Sequence, residues 1–407
     1  MLYLAAALIF SGCTARRQLR LPADLKASGI SLTEMRQAAE KMQRQIAVFH
    51  DGHRSASNVL RVVHFYPEDT EPLPGWEERL DRVIRDISDF YRDGMRRFGL
   101  ASAGLPLEFK DGHVLCHVVR GAGPAASYDY LSGARTASEI RRALAGQVNL
   151  DREHVLVLYG LCRKEPDGRY VFHAPYYGGG SHRAGLCHAA DCELLDPKLL
   201  LATNRQMVYT EHYYPRMKQT VAQFNSFYLG GIAHELGHGL GLPHDAGTPG
   251  EQPNGTSLMA DGNLHYREDQ WGGSRPAFLS FASALQLASH PLLTGSNRNR
   301  WTPAKGRFKN LAFSTNAGGL GITGTITAKV DAYAAIACLV PSSQKTDHYT
   351  VTYPTTVRDG NFAIQVSGVP VGIYRLELLS SHVNGGISRY RTRMEVNVGA
   401  PIVHGSN

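Results

Sequence analysis

The chain has 407 residues, of which 43% are hydrophobic, and its formal net charge is +7 at pH 7. This length exceeds the usual size of one domain, so two folded domains plus a tail are expected. The basic residues are dispersed except for one short run near residues 296–309, a pattern that does not indicate a nucleic-acid-binding protein.

An apolar stretch, Leu2–Phe10, opens the chain and is followed by Ser11-Gly12-Cys13. Nine apolar residues are too few to span a bilayer, which takes about 20 in a helix, so a signal peptide is favoured. The small residues before Cys13 resemble a bacterial lipobox, although Phe10 stands where Leu is usual. Cys13 would then be the lipidated first residue of a membrane-anchored protein, and plain secretion is the alternative. Both predict an extracytoplasmic location.

A helix from about residue 32 to 49 is predicted next, as part of an N-terminal segment 14–54. Ser31-Leu32-Thr33-Glu34 has the form of a capping box, and apolar residues follow it at helical spacing. The helix is either a packing brace or a propeptide-like segment. His50 and His53, just after it, are either blocking metal ligands or part of an ordinary loop.

From residue 59 the pattern alternates between strands and helices. The run His154–Tyr159 is continuously apolar, which is typical of a strand covered on both faces. Gly178–Gly180 is not followed by Gly-Lys-Ser/Thr, so it is predicted to be flexible backbone near the cleft and not a phosphate loop. The predicted strands are Val59–Phe65, about 113–119, about 154–160 and, at a sheet edge, Tyr170–His173; the predicted helices are Trp76–Phe98 and Ser138–Leu144.

Five cysteines follow Cys13. In an exported protein Cys187 and Cys192 are close enough in sequence to form a disulfide, and we predict that pair. Zinc binding by the two is the competing interpretation, but no second Cys or His pair at matching spacing accompanies them. A Cys116–Cys162 bridge requires neighbouring strands, which sequence does not establish.

The stretch His234-Glu235-Leu236-Gly237-His238 lies on a helix predicted to begin near Arg216. His234 and His238 are four residues apart and share one helix face, so both ring nitrogens can reach one cation. Gly241 can adopt a left-handed conformation that ends the helix and returns His244 towards the metal. The spacing therefore predicts a site for Zn²⁺ with His234, His238 and His244 as ligands.

This arrangement predicts hydrolytic chemistry. Three neutral imidazoles leave a fourth zinc position for water, whose pKa the metal lowers towards about 7. Glu235 is placed to take the proton from that water and deliver it to a leaving amine. Asp245 is interpreted either as a residue that orients a ligand or as an exposed turn residue.

The motif H-E-x-x-H-x-x-G-x-x-H, followed by a turn containing Met259, resembles that of the metzincin zinc metallopeptidases. The resemblance implies that Met259 forms a hydrophobic base under the metal and that an extended peptide lies along an edge strand beside the cleft. Some metzincins carry a tyrosine two residues after this methionine. Here that residue is Asp261, and Tyr266 is not assigned the role.

The C-terminal part is predicted to be all β. A helix over Pro276–Leu287 is expected to close the enzyme domain, and the polar and basic segment 296–310 has the composition of a solvated linker. From Leu311 onward, short alternating runs separated by turn residues predict a β-sandwich of about seven strands.

Together these patterns predict an α+β protein: a metzincin-like catalytic domain with a mixed twisted sheet and an active-site helix, then a small β-sandwich. The predicted boundaries are 1–13 for the signal region, 14–54, 55–295 for the peptidase domain, 296–310 and 311–407. We expect a monomeric, exported zinc endopeptidase that acts on protein or peptide substrates. The alternative is a catalytically inactive surface lipoprotein that binds glycan or protein through its β-sandwich.

Overall fold

A computed structural model describes residues 30–53, 58–316, 319–367, 369–396 and 402–404. The predicted signal region and Cys13 lie outside these residues. No helix in the described ranges is long and apolar enough to cross a membrane. The described helices are α1 (Leu32–His50), α2 (Trp76–Arg97), α3 (Gly133–Ala143), α4 (Val221–Gly239), α5 (Phe281–Ala288) and α6 (Pro291–Thr294).

Helix α1 begins at the predicted capping box. The Ser31 side chain accepts a hydrogen bond from the Glu34 backbone, and the Glu34 carboxylate accepts one from the Ser31 backbone at 2.8 Å. Its buried face packs on α5 and on C-terminal strands, and the His50 ring donates from Nε2 to the carbonyl oxygen of Val383 at 2.7 Å. These contacts attach α1 to the rest of the fold, and the His50 ring is directed at the C-terminal part of the chain.

Residues 30–306, here called the N-terminal region, combine helices with short strands. The strands are β1 (Leu60–Tyr66), β2 (Phe109–Lys110), β3 (His113–Val114), β4 (Cys116–Arg120), β5 (His154–Tyr159), β6 (Cys162–Lys164), β7 (Tyr170–Phe172), β8 (Tyr177–Gly180), β9 (Gly185–Ala190), β10 (Gln206–Thr210), β11 (Met217–Thr220), β12 (Thr256–Ser257) and β13 (Ala277–Phe278).

The prediction that α4 begins near Arg216 was wrong. Residues 217–220 form strand β11, which pairs with β10, and the helix begins after Thr220.

The main sheet has the strand order β4-β1-β5-β9-β8. Its first four strands are parallel, and β8 runs antiparallel at the edge. Every residue of β5 is buried, as its continuous apolar run predicts. Two sequence predictions were wrong here. The glycines at 178–180 belong to the edge strand β8, and β7 is an inner strand of a second sheet, between β6 and β10.

The predicted disulfide is not present in the structure. Cys187 lies inside the extended strand β9 and Cys192 lies just beyond it, and both are buried free thiols. An extended strand rises about 3.3 Å per residue, so it carries these two cysteines apart. Cys192 instead contacts the thiol of Cys162, and burial together with this contact raises the pKa of Cys162.

Residues 307–404, here called the C-terminal β region, form two sheets with orders β14-β15-β18 and β17-β16-β19-β20-β21. Apolar side chains from both sheets, including Ile322, Ile364 and Leu376, pack in one core. The strands are β14 (Arg307–Asn316), β15 (Gly319–Thr327), β16 (Ala332–Pro341), β17 (Val351–Thr356), β18 (Asn361–Val366), β19 (Gly372–His382), β20 (Ile387–Val396) and β21 (Ile402–His404).

In the segment 296–310, predicted to be a solvated linker, more than half of the residues are exposed, whereas Ser296, Arg300 and Ala304 are buried. Arg300 is buried and donates to the backbone carbonyls of Arg152 and Arg183 and to the side chain of Asn58. The Tyr333 hydroxyl donates to a backbone carbonyl of α5 and joins the two regions through a buried contact. Helix α5 begins at Phe281 and not at Pro276, because residues 277–278 form β13.

Candidate active site

Helix α4 is the central buried helix of the N-terminal region. A capping box formed by Thr220 and Gln223 begins it, and nearly all of its residues are buried. It ends at Gly239, and Gly241 then adopts the left-handed conformation that the sequence predicts, with φ of +92°. The backbone of Leu242 donates to the carbonyl of Gly237 at 2.9 Å, which closes the turn and brings His244 back towards the helix.

The structure brings His234, His238 and His244 together. Their candidate ligand atoms lie within 4.8 Å of one another, and Nε2 of His238 is 3.1 Å from Nε2 of His244. The Nδ1 atoms make hydrogen bonds to groups that can only accept. These acceptors are the carbonyl oxygens of Leu258 at 2.7 Å and Leu242 at 2.9 Å, and the carboxylate of Asp347 at 2.9 Å. Each ring therefore carries its proton on Nδ1, which leaves the Nε2 lone pair available for a cation.

Burial also favours the neutral forms of His234 and His238. It lowers the pKa of His238 to about 4, with a further contribution from neighbouring His244. It lowers the pKa of His234 well below the usual range for the same reasons. Metal binding requires unprotonated imidazole, so these two rings are ready to accept a cation near neutral pH.

The turn at Met259 is fastened to the histidine motif. Its residue Leu258 supplies the carbonyl that holds His234, and the carbonyl of Met259 accepts from the backbone of Asp245 at 3.1 Å. Met259 is fully buried, and a Cβ added to Gly237 would lie 2.5 Å from its sulfur atom. The methionine therefore packs directly against the helix turn that carries the histidines.

The role of Asp245 in the structure differs from both roles that the sequence suggested. It is buried, and its carboxylate accepts from the backbone of Gly247 at 2.8 Å and from the Ser283 hydroxyl at 2.6 Å. These bonds fix the turn after His244 to helix α5. The aspartate thus stabilises the backbone of the site and is not an exposed turn residue.

Glu235 lies on the same helix and is joined to the edge strand β8. Its Oε2 atom accepts a hydrogen bond from the backbone N–H of Gly178 at 2.7 Å. Burial raises the pKa of Glu235 to about 8, and the Gly178 hydrogen bond offsets part of that rise. A carboxyl group whose pKa lies near neutrality can both accept and return a proton.

A small cavity lined by aromatic side chains adjoins Glu235, and no sequence motif marks it. The exposed ring of His212 stacks on Tyr130, with centroids 4.4 Å apart and planes 7° apart. Scattered tyrosines carry no recognisable spacing, so only the fold brings them together. The cavity is lined by Tyr130, Tyr176, Glu211, Tyr213, Tyr214, Phe227, Tyr228, Gly231, Glu235 and Asn263.

Residues from the C-terminal β region also lie beside the histidine cluster. The ring of His348 stacks on His244 with centroids 3.9 Å apart, and Nδ1 of His348 lies 3.4 Å from Asp261. The hydroxyl of Tyr349 donates to Asp261 at 3.2 Å. Tyr266, by contrast, is buried and its hydroxyl donates to Asp86, so it takes no part in the histidine cluster.

Solved structures match almost the whole chain. Wild-type OgpA from Akkermansia muciniphila, in two crystal forms, aligns with TM-scores of 0.69 and 0.70 and sequence identities of 21% and 22%. The alignments cover 86% and 87% of this chain and 97% of each OgpA chain. This chain has the fold of OgpA.

A further OgpA structure is the catalytically inactive protein in complex with an O-glycopeptide (glycodrosocin) substrate. It aligns with a TM-score of 0.68 and 21% identity, over 87% of this chain and 97% of OgpA. No protein-family model matches this chain, and no curated protein sequence matches it significantly. The mixed α and β architecture rests on the structure itself and on the shared fold with OgpA.

Proposed function

We propose that this chain is a zinc-dependent endopeptidase with a metzincin-like catalytic region. His234, His238 and His244 hold the metal, and Glu235 is the general base. The observation that carries the proposal is the convergence of three Nε2 lone pairs, each made available by an Nδ1 hydrogen bond on the opposite side of its ring.

The donor set fits zinc. Nitrogen ligands favour zinc over calcium or magnesium, which take oxygen ligands. Tetrahedral zinc with bonds of 2.0–2.1 Å to nitrogen places two ligand atoms about 3.3 Å apart. The 3.1 Å between Nε2 of His238 and Nε2 of His244 is close to that value. Two neutral rings with lone pairs facing each other at this distance repel unless a cation lies between them.

When bound, zinc would polarise a peptide carbonyl and lower the pKa of a water molecule beside Glu235. The Glu235 carboxylate removes a proton from the attacking water and then delivers it to the nitrogen of the leaving amine. A nearby divalent cation favours the charged form of Glu235, which counters the rise in its pKa caused by burial. The Gly178 N–H holds the carboxylate in one orientation throughout.

The edge strand β8 suits an extended peptide. Gly179 and Gly180 are exposed, and among the described strands β8 pairs with β9 alone. A substrate segment added as a further strand would gain backbone hydrogen bonds next to Glu235. The open edge therefore supports an endopeptidase, because the peptide can continue in both directions along it.

O-glycosylated peptides are the substrate class that we propose. The shared fold with OgpA, which one structure shows with an O-glycopeptide, supports this class. The partly exposed rings of Tyr130 and Tyr213 at this small cavity beside Glu235 are a second support, since the apolar faces of sugar rings pack on aromatic rings. Export and lipidation at Cys13, the monomeric state and the five-segment division of the chain stay predictions from the sequence.

The proposal is tested with purified protein by metal analysis and by digestion of two peptides of identical sequence, one O-glycosylated and one not. We expect about one zinc ion per chain and cleavage of the glycosylated peptide, with activity lost on chelation and restored by zinc. Casein and gelatin test for general proteolysis. Protein without zinc would refute the proposal, and so would a Glu235→Ala variant that cleaves as well as the wild type.

The alternative is a binding lipoprotein without catalysis. It predicts that wild type and Glu235→Ala bind the glycopeptide equally and that neither cleaves it. An inactive protein has no chemical requirement for the Glu235 carboxylate, whereas the hydrogen bond from Gly178 shows that this carboxylate is held in place. That contact is why we favour the enzyme.

A further inference from the structure

The loop between β16 and β17, residues 342–350, brings an acidic side chain to the third histidine. Oδ1 of Asp347 is 2.9 Å from Nδ1 of His244, although the two residues are 103 positions apart in the sequence. His234 and His238 are held by backbone carbonyls of the N-terminal region. His244 is thus the one member of this triad whose orienting acceptor is a carboxylate and comes from the C-terminal β region.

This contact belongs to a wider attachment. The backbone of Ala246 donates to the carbonyl of Thr350 at 2.7 Å, and the backbone of Thr352 donates to the carbonyl of Gly247 at 3.1 Å. The chain directly after His244 therefore pairs with the start of β17. The backbone of Thr350 also donates to the carbonyl of Asp347 at 3.0 Å, which fixes the turn that presents the aspartate.

His244 needs an orienting group more than the other two histidines do. His234 and His238 are positioned by the α-helix that carries them, whereas His244 lies beyond the helix on irregular backbone. An acceptor at Nδ1 sets both the rotation of the ring and the nitrogen that carries the proton. A carboxylate acceptor also makes Nε2 a stronger electron donor to a metal.

We propose that Asp347 is a positioning residue for His244, so that the C-terminal β region forms part of the metal centre. This inference rests on the proposed zinc function. The Asp347 side chain is 52% exposed and that of His244 is 4% exposed, so water screens the carboxylate in part. Loss of such an orienting group weakens metal affinity by about 10- to 100-fold, and the exposure places this case near tenfold.

The test is the zinc dissociation constant, measured by competition with a chelating dye, for full-length wild type and variants. Asp347→Ala removes the acceptor and should raise the constant about tenfold. Asp347→Asn keeps a neutral acceptor and should have a smaller effect, and Asp347→Glu should recover part of the affinity. Asp359→Asn is the matched control, because it removes an exposed carboxylate of the same region at a turn that asparagine tolerates.

The unfolding temperature of each metal-free variant is measured alongside. A positioning role predicts weaker zinc binding with an unchanged metal-free unfolding temperature. The inference is overturned if Asp347→Ala and Asp347→Asn both bind zinc as tightly as Asp359→Asn, or if affinity falls only in step with lost stability. If the wild type binds no zinc, the proposed function and this inference fail together. If the wild type binds zinc and the Asp347 variants bind it equally tightly, only this inference fails.

Discussion

The backbone N–H of Gly178 donates a 2.7 Å hydrogen bond to the carboxylate of Glu235. This bond links the edge strand β8 to helix α4 at the residue proposed to move the proton. The two elements approach so closely that a Cβ at position 178 would lie 1.9 Å from the backbone oxygen of Glu235. The absence of a side chain at Gly178 therefore sets the distance between the proposed substrate edge and the base.

Gly178→Ala should disrupt this approach. The added methyl group meets rigid helix backbone and not a flexible side chain, so strand and helix must move apart. We expect the free energy of unfolding to fall by about 1–3 kcal/mol, as for other overpacked sites, and peptide cleavage to fall with it. Urea unfolding and kcat/KM measure the two effects.

Gly179→Ala is the control for that substitution. A Cβ at position 179 meets nothing within 4 Å, and its backbone does not adopt the left-handed conformation. We expect the free energy of unfolding to change by no more than about 0.5 kcal/mol, as for other surface positions. Equal effects of the two substitutions would show that the close packing at Gly178 has no importance of its own.

Met259 should matter mainly through its volume. It is fully buried against Gly237, so Met259→Ala leaves a cavity under the histidine cluster and should cost about 2–5 kcal/mol of stability. Met259→Leu conserves most of the volume and should cost less than about 1.5 kcal/mol. Urea unfolding of metal-free protein measures both. A leucine variant as unstable as the alanine variant would contradict this account.

Glu251 should make stability fall as the pH rises. It is buried and accepts hydrogen bonds from the backbones of Thr248 and Phe281, and burial raises its pKa to about 7. The unfolded chain releases this proton near pH 4.3, so between about pH 4.3 and 7 the folded state holds more protons. One proton difference corresponds to a slope of at most about 1.4 kcal/mol per pH unit, downward with rising pH.

Glu251→Gln removes this ionisation and should flatten that slope, whatever it does to absolute stability. The measurement is the free energy of unfolding in urea, taken at several pH values from 4.5 to 8 for both proteins. Parallel pH profiles for wild type and variant would show that Glu251 does not titrate in this window.

The ion pair of Arg79 and Asp191 should be important for stability. Both side chains are buried, and the guanidinium contacts both carboxylate oxygens, one of them at 2.9 Å. Arg79→Met leaves a buried carboxylate without its partner and should cost about 3–5 kcal/mol. Arg120→Met breaks an exposed pair with Glu71 and should cost less than about 1 kcal/mol. A similar decrease in the free energy of unfolding for both variants would contradict the argument that burial makes the Arg79–Asp191 pair important.

The elements whose signals are local were predictable from the sequence. The capping box at Ser31, the buried strand His154–Tyr159 and the left-handed turn at Gly241 each depend on residues within one or two turns of chain. The histidine cluster was predictable for the same reason, since helix periodicity alone places His234 beside His238. These features follow from local geometry and need no knowledge of the tertiary fold.

Features that depend on distant partners were not predictable. Three consecutive glycines, Gly178–Gly180, have the composition of a flexible loop. Only the close contact with helix α4 explains why a strand at this place has no side chain at Gly178. Tyr170–Phe172 has the pattern of an edge strand, but β10 covers its free side. Asp347 is one of many acidic residues in the sequence, and nothing near it marks it as a partner of His244. In each case a contact across the fold decides the role.

The backbone pairing of Ala246 and Gly247 with Thr350 and Thr352 has a consequence for protein engineering. A chimera that exchanges the C-terminal β region for another β fold would lose both hydrogen bonds as well as the acceptor at His244. We expect such a chimera to need a grafted loop with an acidic residue in the position of Asp347 before the proposed metal site is complete. The N-terminal region and the C-terminal β region would thus have to be exchanged together.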